Sequence, residues 1–272
     1  MRPRLLTFDI FGTVLDWRRG LTESLRERGI ALDGDGFDAV IDAQARLEAG
    51  RFRRYEEIVA LSLSEVLHVP AHEARTVASQ AGRWPLYDDA RAALRRLLRV
   101  VPCAATTNSD ARHGRDVTRE LGFDLSGWIS AESIRRYKPD PLFWRSAGRR
   151  LGREPGRDWW HVSAYADYDL EVARRLGLTC VFVDRPHARP GAAHLTVRDL
   201  HDLARRVEEE SRSCIVRPFT SATFRPTLWG HVAHSQLRIP APRSRHRPGR
   251  LARAARARGP EPGGPARETL PG

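Results

Sequence analysis

The stretch that decides the fold is Leu5-Leu6-Thr7-Phe8-Asp9-Ile10-Phe11-Gly12-Thr13. Its first four residues form a short, largely apolar run, which is typical of a strand buried on both faces. The run ends at Asp9, and a phenylalanine, a glycine and a threonine then supply turn chemistry. In parallel sheets, polar groups at the carboxyl ends of strands build the functional site. The stretch therefore predicts a buried strand with Asp9 at its carboxyl end.

The rest of the body alternates strand and helix candidates. We expect strands over 100–105, 128–130, 159–162 and 179–183, and helices over 88–99, 111–121, 141–151, 168–176 and 197–210. Such alternation indicates a parallel, doubly wound sheet. Residues 16–82 instead show apolar positions at helical spacing with no strand candidate, so they predict an all-helical insertion. The fold class is α/β, a doubly wound Rossmann-like parallel sheet with a small helical domain after the first strand.

The net charge of +12 belongs mainly to the end of the chain. Residues 211–272 hold twelve arginines and two acids, which leaves a charge of only +2 for the preceding 210 residues. Nine of the eighteen prolines are also there, and such a composition predicts a disordered tail. A basic tail could contact the phosphates of a nucleic acid. We favour a dispensable extension and expect no nucleic-acid partner except through this tail.

Cysteine usage and hydropathy exclude several classes of protein. Cys103, Cys180 and Cys214 lie far apart without a CxxC pair, so neither a disulfide framework nor a zinc site is expected. The apolar stretch near the first residue is too short for a signal peptide. No run of about 18 apolar residues occurs, so no membrane span is expected. We therefore expect a cytoplasmic protein with no membrane partner.

One lysine, Lys138, occurs among 46 Lys+Arg residues, within Arg136-Tyr137-Lys138-Pro139-Asp140-Pro141. Lysine is a compact point charge on a flexible stem, whereas arginine carries a wide planar fork. Retention of an ammonium in so arginine-rich a chain favours a role in a confined site. The alternative is chance retention in a solvated loop.

Four polar segments follow predicted strands and could meet at one edge of the sheet: Asp9 to Thr13, Thr107-Asn108, Lys138 to Pro141, and Asp167 to Asp169. A carboxylate at a strand end can act as a covalent nucleophile, and a nearby ammonium favours its ionised form. Hydroxyl and amide groups can hold negative substrate oxygens, and a second carboxylate can orient water. Each segment also has a structural interpretation, as a helix cap or a turn.

This ordered set resembles the haloacid dehalogenase superfamily of hydrolases, from about Leu5 to Glu210. The four motifs correspond to Phe8–Thr13 with Asp16, Thr107-Asn108, Tyr137–Pro141 and His161–Asp169. The resemblance implies a core domain formed by residues 1–15 and 84–210 and a helical cap domain over 16–83. The predicted disordered tail then covers 211–272.

The branch of the superfamily is indicated by the position two residues after Asp9. Phosphatases of this superfamily carry a second acid there and bind magnesium, but this chain has Phe11, and the fourth motif reads Ser163-Ala164-Tyr165 in place of Gly-Asp-Ser. Magnesium strongly prefers oxygen ligands. Phe11 and the segment Leu47–Tyr55 instead resemble the L-2-haloacid dehalogenases, which need no metal. We expect no metal and no cofactor, with magnesium only under the phosphatase alternative.

The resemblance also implies roles for individual residues. Asp9 would attack the carbon that bears the halogen, and water would hydrolyse the resulting ester with help from Asp169. Lys138 completes the catalytic set. The implied substrate-binding residues are Thr13, Thr107, Asn108, Phe11 and Arg53, of which Arg53 in the cap would take the departing halide. The chain departs from the dehalogenases at Ala164, Ala166 and Trp144.

Two other functions stay open. The first is a magnesium-dependent phosphatase that acts through an aspartyl-phosphate on Asp9. The second is a catalytically impaired binding protein that kept the fold. For the leading interpretation the expected partner is a small-molecule carboxylate substrate, and a homodimer remains open.

Overall fold

Six parallel strands form a single sheet in the computed structural model, which describes residues 2–213. The strands are β1 (Leu5–Phe8), β2 (Cys103–Thr107), β3 (Gly127–Ser130), β4 (Trp159–Ser163), β5 (Thr179–Val183) and β6 (Leu195–Val197). Their order is β3-β2-β1-β4-β5-β6, so β1 lies between β2 and β4. The residues that follow these three strands therefore meet at one edge. The predicted doubly wound α/β fold is confirmed.

Four helices follow β1 and lie before residue 84: α1 (Trp17–Arg26), α2 (Gly34–Glu48), α3 (Tyr55–Leu67) and α4 (Ala71–Ala78). A 3₁₀ turn over Ala81–Arg83 follows them. We refer to residues 16–83 as the cap segment. The predicted all-helical character of this stretch agrees with the structure, while its boundaries as a separate domain remain a prediction.

The remaining helices accompany the sheet strands. They are α5 (Ala90–Leu98), α6 (Ala111–Leu121), α7 (Ala131–Ile134), α8 (Pro141–Leu151), α9 (Glu171–Arg175) and α10 (Leu200–Ser213). The bounds of α6 and α8 are the predicted ones, because local chemistry marks both ends. In α8, Asp140 accepts a hydrogen bond from the Leu142 N–H at 2.8 Å, Pro141 occupies the first turn, and Gly152 ends the helix with φ +61°.

Two predictions near the end of the body need correction. Residues from Val197 were expected to be helical, but Leu195–Val197 pairs with β5 as the edge strand β6, and α10 begins only at Leu200. Three residues are too few to show strand periodicity. The helix expected over 168–176 begins instead with a π-helical turn over Ala166–Leu170. The predicted disordered tail lies outside the described residues from residue 214 onward, and residues 211–213 belong to α10.

Apolar side chains cover both faces of the sheet, as a parallel sheet requires. One cluster packs Phe8 and Val162 of the sheet together with Leu21, Phe37 and Val59 of the cap segment. The other cluster includes Trp159, Phe143 and Leu170 on the opposite face. Because the first cluster is continuous from the sheet into the cap segment, the cap segment is held against the strand ends. Within residues 2–213, no helix is long and apolar enough to cross a membrane.

Candidate active site

Asp9 directly follows the central strand, and its carboxylate is buried with 4% exposure. The Asp9 N–H donates to the carbonyl of Val162 at 2.9 Å, which continues the pairing of β1 with β4. Its Oδ1 accepts from Lys138 Nζ at 2.9 Å, and its Oδ2 accepts from Thr13 Oγ1 at 3.0 Å. Both carboxylate oxygens are therefore held in fixed directions.

Lys138 joins two carboxylates that come from different strand ends. Its side chain is fully buried, and its Nζ donates to Asp169 Oδ2 at 2.7 Å as well as to Asp9. His161 Nε2 lies 3.1 Å from the same Asp169 oxygen. A buried ion is tolerated only with close partners of opposite charge. The structure thus brings together Asp9, Lys138 and Asp169, the three residues that were expected to be catalytic.

The shared ammonium affects the two carboxylates unequally. Burial raises the pKa of Asp9 above its ordinary value, and the attraction of Lys138 does not overcome burial together with the negative charge of Asp169. Burial also acts to raise the pKa of Asp169, but Lys138 and His161 outweigh it and hold that pKa well below the usual range. Lys138 therefore favours ionised Asp9, as expected, yet Asp9 is the more easily protonated of the two acids.

Thr13 binds the Asp9 carboxylate through a hydrogen bond but does not line the cavity. Its Oγ1 donates to Asp9 and accepts from the Ala164 N–H at 3.0 Å, and its side chain is fully buried. The expectation that Thr13 binds the substrate is therefore replaced by a positioning role. Gly12 has φ +90°, and a Cβ there would lie 2.6 Å from the Tyr165 hydroxyl oxygen. Only glycine fits this turn without displacing Tyr165.

A cavity of about 720 Å³ opens in front of Asp9, between the cap segment and the strand ends. This volume is typical of small-molecule sites. Seven aromatic side chains contribute to its wall: Phe11, Trp17, Phe52, Tyr55, Tyr137, Tyr165 and Tyr168. Asp9, Lys138, Thr107 and Asn108 form the polar floor. The cavity can therefore enclose an organic molecule whose polar end meets Asp9.

Asn108 is expected to hold a substrate oxygen, but its amide is already engaged. Its Nδ2 donates to Glu48 Oε2 at 2.8 Å and to the Lys138 carbonyl at 2.9 Å, and its Oδ1 accepts from the Lys138 N–H at 2.7 Å. Both amide hydrogens are thus donated within the protein. Thr107 lines the cavity at the end of β2, where its Oγ1 donates to Ser109 Oγ at 3.2 Å.

Glu48 is a cavity residue that the sequence interpretation did not single out. It is the last residue of α2 and is half-buried on the cavity wall. Burial raises its pKa to about 8, against the opposing effects of the Asn108 hydrogen bond and of Lys138. Val40, Gln44 and Glu48 recur every four residues, so polar side chains continue an apolar helical stripe. The polar residues Gln44 and Glu48 in an otherwise apolar stripe were the sequence signal that could have identified Glu48 as a cavity residue.

Arg53 does not reach the cavity that it was expected to serve. Its Nε lies 3.5 Å from Glu57 Oε1, and its backbone N–H donates to the Tyr137 hydroxyl at 3.1 Å. No arginine of the cap segment is among the residues that line the cavity. Three other arginines line the cavity: Arg135, Arg136 and Arg189.

Those three arginines differ in their partners. Arg136 pairs with Asp140 at 2.9 Å, and Arg189 pairs with Asp42 of the cap segment at the same distance. The guanidinium carbon of Arg135 lies 4.2 Å from the centre of the Phe52 ring, within cation–π range. Arg135 is exposed at the rim, so it can meet an anion that enters the cavity.

Phe11 packs as an apolar member of the wall. Its ring centre lies 5.1 Å from that of Tyr55 and 5.9 Å from that of His113. Trp144, one of the positions at which the chain departs from the dehalogenases, is fully buried and does not line the cavity. Its ring centre lies 4.6 Å from that of His161.

The residues around Asp9 do not fit a magnesium ion. The second-acid position holds Phe11, the fourth-motif position holds Ala164, and the Lys138 ammonium already lies between Asp9 and Asp169. Among the residues from 2 to 213, no group of three or more histidine, cysteine or acidic side chains is arranged to hold a metal. Magnesium requires several oxygen ligands in near-octahedral geometry, which this arrangement does not offer.

Comparisons with known proteins agree with this geometry. A family model described as haloacid dehalogenase-like hydrolase matches residues 3–177. The crystal structure of the L-2-haloacid dehalogenase PA0810 is similar, with 27% identity, a TM-score of 0.64, and coverage of 75% of this chain and 99% of that chain. The defluorinating L-2-haloacid dehalogenase Rha0230 has 22% identity and a TM-score of 0.65, with coverage of 76% and 95%.

A third similar structure is the magnesium-bound HAD hydrolase YfnB from Bacillus subtilis, with 18% identity and a TM-score of 0.62. The match covers 76% of this chain and 100% of that chain. No curated protein sequence matches this chain.

Proposed function

Because the chain belongs to the haloacid dehalogenase-like hydrolase family, we propose that it is a metal-independent hydrolase in which Asp9 attacks a small 2-haloacid. The observation that carries the proposal is the Lys138 ammonium, which bridges Asp9 and Asp169 beneath the cavity. The similarity to solved L-2-haloacid dehalogenases supports the substrate class. The proposed catalytic residues are Asp9, Lys138 and Asp169.

In the first step an oxygen of ionised Asp9 forms a bond to the carbon that bears the halogen. The carbon–halogen bond breaks, and the halide leaves with the bonding electrons. Lys138 and Thr13 hold the two carboxylate oxygens, so the attacking group is oriented before the substrate arrives. The product of this step is an ester between Asp9 and the 2-carbon of the acid.

In the second step water attacks the carbonyl carbon of the Asp9 ester and the bond between that carbon and the 2-oxygen breaks, which releases the 2-hydroxyacid, restores the Asp9 carboxylate and gives one proton to the solvent. Asp169 Oδ1 is buried and has no hydrogen-bond partner among the described residues, so it can accept a hydrogen bond from that water. The low pKa of Asp169 makes it a group that orients water rather than a strong base.

Release of chloride from L-2-chloropropionate tests the proposal directly. We expect turnover that is insensitive to EDTA and is abolished by Asp9→Asn. Asp158→Asn is the matched control, because Asp158 is a surface acid paired with Arg153 at 3.1 Å. A single turnover in ¹⁸O-labelled water should place the label in Asp9, as detected by peptide mass spectrometry.

Two results would contradict the proposal. Failure to release halide from any short 2-haloacid would exclude the substrate class. Hydrolysis of a generic phosphate ester that depends on added magnesium would favour the aspartyl-phosphate alternative instead.

A further inference from the structure

We propose that Glu48 is a specificity-determining residue of this cavity. In this role Glu48 is a protonated carboxylic acid. One of its oxygens accepts a hydrogen bond from Asn108, and its hydroxyl donates a hydrogen bond to the carboxylate of the substrate. The inference rests on the proposed function, since it describes how the same cavity recognises an anionic substrate. It assigns a substrate contact to the cap segment, from which Arg53 was expected to supply one.

The side chain of Glu48 reaches from the cap segment to the strand ends. Glu48 ends α2 in the cap segment, and its Oε2 accepts from Asn108 Nδ2, at 2.8 Å, across the cavity from the cap to the end of β2. The second carboxyl oxygen, Oε1, is not needed for this contact. Glu48 therefore carries a carboxyl group into the cavity with one oxygen anchored.

The engagement of Asn108 makes Glu48 the group that a substrate would meet. Both hydrogens of the Asn108 amide are donated, one to Glu48 and one to the Lys138 carbonyl. A substrate carboxylate needs hydrogen-bond donors, and this amide has none to spare. A protonated Glu48 replaces the lost donor, because its hydroxyl can donate while its carbonyl oxygen accepts from Asn108.

The balance of charge around Lys138 also favours a neutral Glu48. Asp9 and Asp169 already share the single ammonium of Lys138. An ionised Glu48 would bring a third carboxylate close to that one ammonium, and a haloacid would bring a fourth in poorly hydrated surroundings. Arg135 at the rim provides attraction farther out. Protonation of Glu48 removes one repulsive charge and adds a donor at the same time.

The groups that face Glu48 support this protonation state. The negative charge of Asp9 adds to the effect of burial on the Glu48 pKa, whereas Lys138 and Asn108 oppose it, and the result is a pKa of about 8. Three tyrosines also face Glu48, and burial raises their pKa values above the ordinary one, so they stay neutral through pH 9: Tyr55, Tyr137 and Tyr168.

Binding of propionate to the full-length protein tests the inference without any chemical step, because propionate carries no halogen. Calorimetric titration at pH 7 and pH 9 should show affinity about tenfold weaker at pH 9, since the protonated fraction of Glu48 falls from about 0.9 to about 0.1. Glu48→Gln keeps a neutral donor and acceptor, so its affinity should be the same at both pH values. Glu48→Leu should bind weakly at both.

The matched control is Glu65→Gln, which removes the same charge from the exposed surface of the cap segment, where Glu65 pairs with Arg46. It should keep the tenfold pH dependence of the wild type. Urea unfolding of each variant establishes that it is folded.

Several results would overturn the inference. They are equal wild-type affinity at pH 7 and pH 9, persistence of the tenfold loss in Glu48→Gln, or no propionate binding at either pH. Much tighter binding by Glu48→Gln at pH 7 would show instead that Glu48 is ionised and repels anions. Normal pH-dependent propionate binding without halide release would contradict the proposed function alone.

Discussion

The Nζ of Lys138 lies 2.9 Å from Oδ1 of Asp9, although the two residues are 129 positions apart in the chain. The contact forms because the loop before α8 and the end of β1 meet at the same edge of the sheet. The same ammonium lies 2.7 Å from Asp169. The ammonium that these two buried acids share therefore serves the fold as well as the proposed chemistry.

Replacement of Lys138 by methionine should destabilise the protein by about 3–5 kcal/mol, because it leaves two buried carboxylates without their cation. Urea unfolding at pH 7 measures this loss. In an Asp9→Asn background the same replacement should cost less, since one of the carboxylates is already neutral. A loss below about 1 kcal/mol in the otherwise wild-type protein would show that the contacts of Lys138 with Asp9 and Asp169 contribute little to the fold.

The rate of ester formation should fall on the acid side at a pH above the ordinary titration range of aspartate. The pKa of Asp9 is raised, mainly by burial, and protonation removes the nucleophile. Activity should therefore be present above that pKa and be lost as the pH falls through it. Single-turnover adduct formation followed by mass spectrometry across pH 3–8 measures the midpoint. A midpoint at or below the ordinary aspartate pKa of 3.8 would contradict the expectation.

Glu48 should make the wild type less stable as the pH rises. Its pKa is about 8 in the folded protein and 4.5 for the ordinary group, so the folded state binds the proton more tightly. The resulting stabilisation is complete below pH 4.5 and is lost as the pH rises through 8. Because Glu48 is half-buried, we expect a loss of about 1–3 kcal/mol relative to Glu48→Gln.

Urea unfolding of the wild type and of Glu48→Gln at pH 5 and pH 9 measures that loss. The free energy of unfolding of Glu48→Gln, relative to that of the wild type, should be higher at pH 9 than at pH 5. The exposed-site variant Glu65→Gln should show no such pH-dependent gain. A constant difference between wild type and Glu48→Gln at the two pH values would mean that Glu48 titrates normally.

Gly12 and Gly29 form a matched pair of glycines with positive φ. A Cβ at Gly12 would lie 2.6 Å from Tyr165, whereas nothing lies within 4 Å of the corresponding position at Gly29. Gly29→Ala should cost about 1 kcal/mol from backbone strain alone. Gly12→Ala should cost about 1–3 kcal/mol more, because Tyr165 must move. Equal unfolding free energies for the two variants would show that Tyr165 yields without cost.

Local sequence signals predicted the elements whose ends carry their own chemistry. Helices α6 and α8 were placed correctly because caps and glycines mark their limits. Strand β6 was missed, since Leu195–Val197 is short and is defined by pairing with β5 rather than by its own pattern. Such pairing is a long-range property that no local window contains.

The sequence by itself determined the parallel α/β fold and the meeting of Asp9, Lys138 and Asp169. Carboxyl ends of adjacent parallel strands lie at one edge, so polar residues after those strands converge. The tertiary structure alone decided which cap residues face the cavity. Glu48 lines the cavity because the packing of α2 on the core sets the rotation of that helix, whereas Arg53, in the loop before α3, pairs with Glu57. The tertiary structure also decided that the pKa of Asp9 is raised, because the effect of burial on that pKa outweighs the attraction of Lys138. The extent of desolvation depends on every surrounding group.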